Sequence, residues 1–417
     1  MSPHAMTWAI ASVATAGVIV RPFDWPEFVW AIAGATLLLL LGLISPQDAL
    51  VGIAKGTDVY LFLIGMMLLA EIAREEGLFD WLAAHATRSA NGSSHRLFLL
   101  TYVVGTIVTI FLSNDATAVV LTPAVAAAVA TAKAERALPY LLICAFIANA
   151  ASFVLPISNP ANLVIYGNHM PPLLQWLPRY LLPSVVSIVA TYLLLRWTQR
   201  HALRHAIAKD VPVPTLSVGG KTAALGIVVA AAVLLAASAA DIQLGLPTAI
   251  AGAVIAAVVL IRGHKSPWQT IKDIAWGVLP LVAGLFVLVE ALDKTGLIAL
   301  ISALARGEAV RSVPLTAWGA GIIVAVASNL MNNLPVGLIG GSAVQSAQLS
   351  DQITRAVLIG VDLGPNLSVT GSLATILWLT ALRREGHRVG AGAFLKLGLV
   401  VMPPALLLAI GTALLLG

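Results

Sequence analysis

Apolar residues run through this chain in long blocks, without the strict alternation of half-buried strands or the one-faced stripe of helices on a soluble core. Ten blocks are apolar enough to cross a bilayer if two of them tolerate an interruption: 7–20, 28–44, 57–75, 137–166 (interrupted), 176–197, 222–238, 247–262, 277–295, 353–381 (interrupted) and 395–416. Two further apolar pairs, 97–112 with 116–132 and 315–331 with 335–347, each break at a polar tip. The pattern predicts re-entrant hairpins there, because polar backbone at membrane depth is tolerated only where protein or a cavity covers it. The expected fold class is an all-α polytopic membrane protein.

Composition removes the alternatives. Hydrophobic residues make up 59% of the 417 and charged residues 10%, against about 25% charged in ordinary globular proteins. Such a chain cannot cover its surface in water, so soluble enzymes, nucleic-acid binders and disulfide scaffolds are excluded as classes. The single cysteine, Cys144, rules out an internal disulfide and any multi-thiolate metal site. No charged segment precedes the first apolar run, so a cleaved signal peptide is not expected. Nor does the sequence call for a cofactor or a resident metal.

The net charge of +5 is a topology signal. With five crossings in each half, the basic segment 196–221 falls on the same side as 74–96, 133–136, 262–272, 383–396 and Arg21, which together hold 18 of the 24 Lys and Arg. The other side holds Lys55, Arg179, Lys294, Arg306, Arg311 and Arg355. By the positive-inside rule the basic side is cytoplasmic and both termini lie outside.

The halves also repeat. AIAGA occurs at 31–35 and 249–253, and SPQDALVGIAKG at 45–56 aligns with SPWQTIKDIAWG at 266–277. Beyond a two-residue deletion, Gly65, Glu71, Gly77 and Asn114 fall on Gly284, Glu290, Gly296 and Asn333 at a constant offset of 219. Since each half crosses an odd number of times, the second copy is expected to be inverted. The expected organisation is a first membrane repeat (1–197), a basic cytoplasmic linker (198–221) and a second repeat (222–417). An inverted repeat with interrupted helices is a transporter architecture whose site lies at the breaks near the midplane.

Four interrupted segments carry the candidate chemistry. The first hairpin tip, IFLSNDATAVVLTP (110–123), places Ser113, Asn114, Asp115 and Thr117 between apolar arms. Such groups can coordinate a cation or hydrogen-bond a hydroxylated solute, and the helix that follows is expected to offer free N–H groups. In the first break, 144–167, Pro156 and Pro160 remove helix hydrogen bonds, and Ser158, Asn159 and Asn162 are the nearest polar candidates, with Asn149 read as structural. In the second half the counterparts are Asn332 and Asn333 at the tip, and Asp362, Gly364, Pro365 and Asn366 at the break. The partner of Asp115 is Leu334, so the repeat is chemically asymmetric. An ionisable group at membrane depth is a functional candidate by default, which singles out Asp115 first and Asp362 second for proton coupling. Glu71 and Glu290 each precede a basic residue by three or four places, Arg74 and Lys294, and read as paired helix-end acids.

At SNDATAVVLTP (113–123), ANAASFVLPISNPANLV (148–164), SNLMNNLPVG (328–337) and DLGPNLSVTGSLATILW (362–378) the sequence resembles the arsenite efflux permeases of the ion transporter superfamily, which also holds sodium/proton antiporters and dicarboxylate carriers. The resemblance implies a multi-pass protein of the cell inner (plasma) membrane that exports arsenite or antimonite in exchange for protons, with a soluble ATPase subunit as a candidate partner. Chemistry then bears on the substrate. As(III) is soft and would favour several thiolates, which one cysteine cannot supply. The neutral trihydroxide would instead be held by hydrogen bonds from the Asn and Ser cluster. A dicarboxylate would want Arg or Lys at the breaks, and none lies in the four segments. One proton crossing about 100 mV yields about 2.3 kcal/mol, enough to hold a neutral solute at roughly a fifty-fold gradient. Two rivals stay open: a sodium/proton antiporter using the same oxygens, and a passive channel that needs no ionisable switch.

Overall fold

In the computed structural model, which describes residues 2–416, each half is built from ten helices in the same order. The first half runs Pro3–Val20, Glu27–Leu40, Pro46–Lys55, Thr57–Glu75, Leu78–Ser89, Ser94–Phe111, Asn114–Thr131, Leu138–Ala150, Pro160–Tyr166 and Leu173–Gln199. The second runs Val218–Ala239, Gly245–Gly263, Pro267–Asp273, Val278–Lys294, Leu297–Arg311, Val313–Met331, Asn333–Ala347, Asp351–Leu363, Leu373–Arg384 and Ala391–Leu415. Eight helices are long and apolar enough to cross a bilayer, and ten spans result if each of two bent pairs, Pro46–Lys55 with Thr57–Glu75 and Pro267–Asp273 with Val278–Lys294, counts as one. No strand occurs among the described residues. Large apolar side chains such as Leu40, Ile261, Ile323 and Leu330 point outward and stay exposed, as lipid-facing positions do.

Three stretches differ from the sequence expectation. Residues 78–89 and 297–311, expected as loops, are helices. Leu78–Ser89 was hidden because one face is polar, and Leu297–Arg311 because its apolar start is short and its last turns carry Arg306, Glu308 and Arg311, so a search for long apolar runs passes over both. The hairpin arms Ser94–Phe111, Asn114–Thr131 and Val313–Met331 are each 18 or 19 residues, close to the length that spans a hydrocarbon core. The linker is shorter than expected, since Leu173–Gln199 runs past residue 197 and the next helix begins at Val218. It is also a strap: the Ile207 N–H bonds Gly92 O at 3.1 Å, the Ala208 N–H bonds Ala132 O at 2.8 Å, and Leu203, Ile207 and Val211 are buried.

The halves interlock by exchange. Helix Thr57–Glu75 packs along Gly245–Gly263 of the other half, and Val278–Lys294 packs along Glu27–Leu40 in the reciprocal way. Small residues make both crossings possible. A Cβ on Gly65 would collide with the backbone of Thr248 and Ala249, and one on Gly284 with the backbone of Ala31. Gly65 and Gly284 are repeat equivalents, as are Ala249 and Ala31. One close approach is therefore written twice. Helices Leu173–Gln199 and Ala391–Leu415, which are equivalent, pack on each other.

Ion pairs gather at two ends of the molecule. At one, Arg74 pairs with Glu71 and with Asp273 (3.2 Å), and Lys265 with Glu76 (2.7 Å). At the other, Lys55 pairs with Glu290 (2.6 Å) and Lys294 with Asp48 (2.8 Å). Each pair joins residues that the charge map puts on one side. The expected partner of Glu290 is corrected, however. Lys294 turns to Asp48, and Glu290 takes its cation from the opposite half, because the short helix Pro46–Lys55 lies along Val278–Lys294.

Candidate functional site

The four interruptions meet in the interior. Helix Ser94–Phe111 ends at Leu112, and Ser113 runs extended before Asn114 begins the second arm. Ser113 Oγ accepts the Ala116 N–H at 3.2 Å, and Asn114 Oδ1 accepts the Asp115 N–H at 2.9 Å. Ser158, in the first break, donates to Ile110 O at 3.0 Å and so ties that break to the first hairpin. The second hairpin turns at Asn332, whose φ of +72° is a left-side conformation that costs a non-glycine residue about 1–3 kcal/mol. Asn332 Oδ1 accepts the Leu334 N–H at 3.3 Å, and the Asn333 N–H donates to Gly371 O in the second break at 2.9 Å.

The helix starts after the interruptions are partly capped from within. Ser113 takes the Ala116 N–H, Asn159 that of Ala161 (3.0 Å), Asn332 that of Leu334 and Ser372 that of Thr375 (3.1 Å). Each cap satisfies one of the N–H groups that a helix start leaves without an intrahelical acceptor, which lessens the donors on offer to an anion.

Asp115 lies on an open cleft of about 100 Å³, enough for several waters or one small solute. Ser113, Glu71, Asp273, Met66 and Pro160 also line it. The Asp115 carboxylate is half-buried and makes no hydrogen bond or ion pair with the described residues. Across the cleft, Glu71 and Asp273 share Arg74. Glu71, Glu75 and Asp273 bring carboxylate oxygens within 4.8 Å of one another. Arg74 bridges Glu71 and Asp273, and Thr270 Oγ1 donates to Glu75 at 2.9 Å, so the three acids keep a net negative charge that a single cation only partly offsets.

The candidates of the two breaks sit where the breaks cross, sealed from solvent. Asp362, Asn366, Ser158 and Asn162 are fully buried. Leu138 and Asp351 start the helices before the two breaks and Pro160 and Leu373 those after them, each pair standing 213 residues apart. The same step carries Asn149 onto Asp362, Asn159 onto Ser372 and Asn162 onto Thr375. The hydrogen bonds follow this exchange. Asn159 Nδ2 donates to Asp362 Oδ1 at 2.8 Å, and Ser372 Oγ donates to Asn149 Oδ1 at 3.1 Å. Asn149 Nδ2 also reaches Asn366 Oδ1 at 3.0 Å, while Asn366 Nδ2 donates to Phe146 O at 3.0 Å.

The structure thus divides the sequence candidates. Ser113 and Asp115 face the cleft. Asn159, Asp362 and Asn366 belong to the sealed crossing. Thr117 bonds Thr109 inside the first hairpin at 2.8 Å, and Asn162 donates to the carbonyls of Ser152, Leu155 and Pro156, repairing the break from which it comes. Asn114, Asn332 and Asn333 are buried at the tips. Sequence reasoning passed over Asp273, which lines the cleft, and Ser372 and Thr375, which join the crossing through Asn149, the residue read as structural. Superposing the two breaks at their own offset, instead of the 219 of the hairpins, would have paired Asn149 with Asp362 and Asn159 with Ser372.

Comparison with known proteins agrees with a transporter. The family model described as "Citrate transporter" matches residues 15–363. An arsenical pump membrane protein of Escherichia coli K12 is 27% identical over 404 residues, covering 90% of both chains. A putative arsenical pump membrane protein of Bacillus subtilis is 25% identical over 413 residues, covering 92% of this chain and 93% of its own. In three dimensions the YdaH transporter of Alcanivorax borkumensis superposes with a TM-score of 0.57 at 15% identity, covering 100% of this chain and 97% of the other, a likeness of fold alone.

Proposed function

From the premise that the chain belongs to the citrate transporter family, we propose that it is a secondary transporter exporting arsenite or antimonite, as the neutral trihydroxide, in exchange for protons. The observation that carries this reading is the unpaired Asp115 carboxylate on a small cleft at a hairpin tip. Relatives at 25–28% identity that are named arsenical pump membrane proteins supply the substrate class. Citrate itself suits the cleft poorly. Its walls carry Asp115, Glu71 and Asp273, the nearby Arg74 is already shared by two acids, and the adjoining helix start is partly capped. A polyanion would meet repulsion from these acids, whereas a small neutral hydroxide can donate its own protons to the Ser113 and Asp115 oxygens.

In this reading the basic end is cytoplasmic, the strap 200–217 lies on that side, both termini lie outside and the second half is inverted. Asp115 takes a proton from outside and releases it inward, competing with the solute for one cavity. The polar groups of both tips (Ser113, Asn114, Thr117, Asn332, Asn333) and breaks (Ser158, Asn159, Asn162, Asn366) hold the cavity in shape or reach the solute as the halves move. A soluble ATPase subunit would dock on the cytoplasmic end.

Everted membrane vesicles test the proposal. Arsenite uptake driven by a proton gradient is expected, collapsed by an uncoupler and lost in Asp115→Asn at unchanged expression. Uncoupler-insensitive uptake would mean a passive channel. A second reading has its own support: three carboxylates around one cleft also suit a hard cation. Dequenching of a pH dye by sodium, with no arsenite uptake, would establish a sodium/proton antiporter instead.

A further inference from the structure

The sequence pattern singles out two acids for proton coupling, yet Asp362 does not line the Asp115 cleft. It is fully buried at the end of Asp351–Leu363, and its Oδ1 takes the Asn159 amide of the other half. Asn159 does two things at once. Its Nδ2 donates to Asp362, and its Oδ1 caps helix Pro160–Tyr166 through the Ala161 N–H. The first residue of that helix, Pro160, is a wall of the Asp115 cleft. Its last turn is held by the second hairpin, where Gln345 Nε2 donates to Ile165 O at 2.7 Å and Gly341 lies against the Ile165 backbone. A chain of contacts therefore runs from Asp362 in the second half, through Asn159, to the wall of the cleft in the first.

The mirror-related link shows what the acid adds. Ser372 caps Leu373–Arg384 through the Thr375 N–H and donates to Asn149, so both post-break helices are capped by a residue that also grips the opposite half. One link is neutral, and the other ends on a carboxyl group, the stronger acceptor when ionised.

We propose that Asp362 is a positioning residue: it fixes the Asn159 cap, and with it the Pro160 wall of the substrate cleft, and it does not carry the transported proton. This rests on the reading of Asp115 as the proton site.

The test compares Asp362→Asn, Asn159→Asp and the double exchange in proteoliposomes, measuring both proton-driven arsenite accumulation and gradient-free arsenite counterflow. In Asp362→Asn the wall loosens. KM is expected to rise about ten-fold in both modes, the scale of one hydrogen bond to a charged group, with the pH profile unchanged. Asn159→Asp sets two carboxyl groups against each other and should fail in both modes. In the double exchange the aspartate caps the helix and accepts from the new asparagine, so KM should return to near wild type. Loss of accumulation with counterflow and KM intact in Asp362→Asn would make Asp362 a proton carrier and overturn the proposal. So would a folded double exchange that recovers nothing. A readout independent of substrate keeps the two claims apart: thiol labelling of Val119→Cys on the cleft, in a chain whose other cysteine is buried, should speed up in Asp362→Asn and revert in the double exchange. If wild type moves no arsenite but the labelling follows this pattern, the functional reading fails and the positioning role stands. Unchanged labelling in Asp362→Asn overturns the positioning role.

Discussion

The Asp115 cleft and the crossing of the two breaks are built from the same materials, an acid and several small polar residues at interrupted helices, and they solve opposite problems. At the crossing, polar side chains bond to one another and to freed carbonyls, so the interior is sealed with few unmet groups; the free oxygens are Asp362 Oδ2 and Asn162 Oδ1. At the cleft, Ser113 and Asn114 accept from their own backbone, and the Asp115 carboxyl group makes no hydrogen bond or ion pair with the described residues. The two acids therefore differ in what surrounds them. Asp115 opens on the cleft, whereas Asp362 is buried against Asn159 at the crossing.

That contrast can be broken by experiment. The largest expected effect is on transport. Asp115→Asn should cut proton-driven arsenite accumulation by at least about 100-fold, the lower end of the range for losing an acid–base group. Adding Leu334→Asp, which places an acid at the equivalent tip, should not restore it, because Leu334 is buried and off the cleft; recovery in everted vesicles would mean that the tips are interchangeable. Next comes Asn159→Asp, which puts an unpaired charge into the sealed crossing. A loss of about 3–5 kcal/mol is expected, seen as a large drop in Tm or in folded yield. A small shift would mean that water reaches the crossing. Gly65→Ala should cost about 1–3 kcal/mol, because the facing Thr248 backbone cannot yield. Ser372→Ala removes a cap and the neutral link, for about 1–2 kcal/mol; an effect on KM as large as that of Asp362→Asn would erase the distinction between the two links. Arg311→Ala, at an exposed pair with Glu308, should change Tm by no more than about 0.5 kcal/mol allows and serves as the baseline.

Much of this was legible in the chain. Long apolar blocks gave the spans, prolines and asparagines gave the breaks, and a lone acid between uncharged arms gave Asp115. What stayed hidden depends on partners distant in sequence. The helices Leu78–Ser89, with its polar face, and Leu297–Arg311, with its charged last turns, are interrupted too soon to register as long apolar runs. Glu290 was matched with the nearest cation along its own helix, although the exchange of helices between halves brings Lys55 closer. The caps at the four helix starts follow from local rules that apply to Ser and Asn before a helix, and applying them would have placed one capping bond at each start. The crossing needed a second alignment, since the breaks repeat at 213 residues and the tips at 219.

The exchange of helices between halves also constrains how the protein is made. Helix Thr57–Glu75 finds its close-packed partner in Gly245–Gly263, nearly two hundred residues later. During synthesis the first half must therefore wait, inserted but unfinished, with the Gly65 surface uncovered until the second half emerges. Contacts of such long separation are slow to form, and partly assembled chains with bare packing surfaces are the ones that misassociate. Expression of the first half alone should give an aggregation-prone fragment, and co-expression of the two halves as separate chains should rescue both.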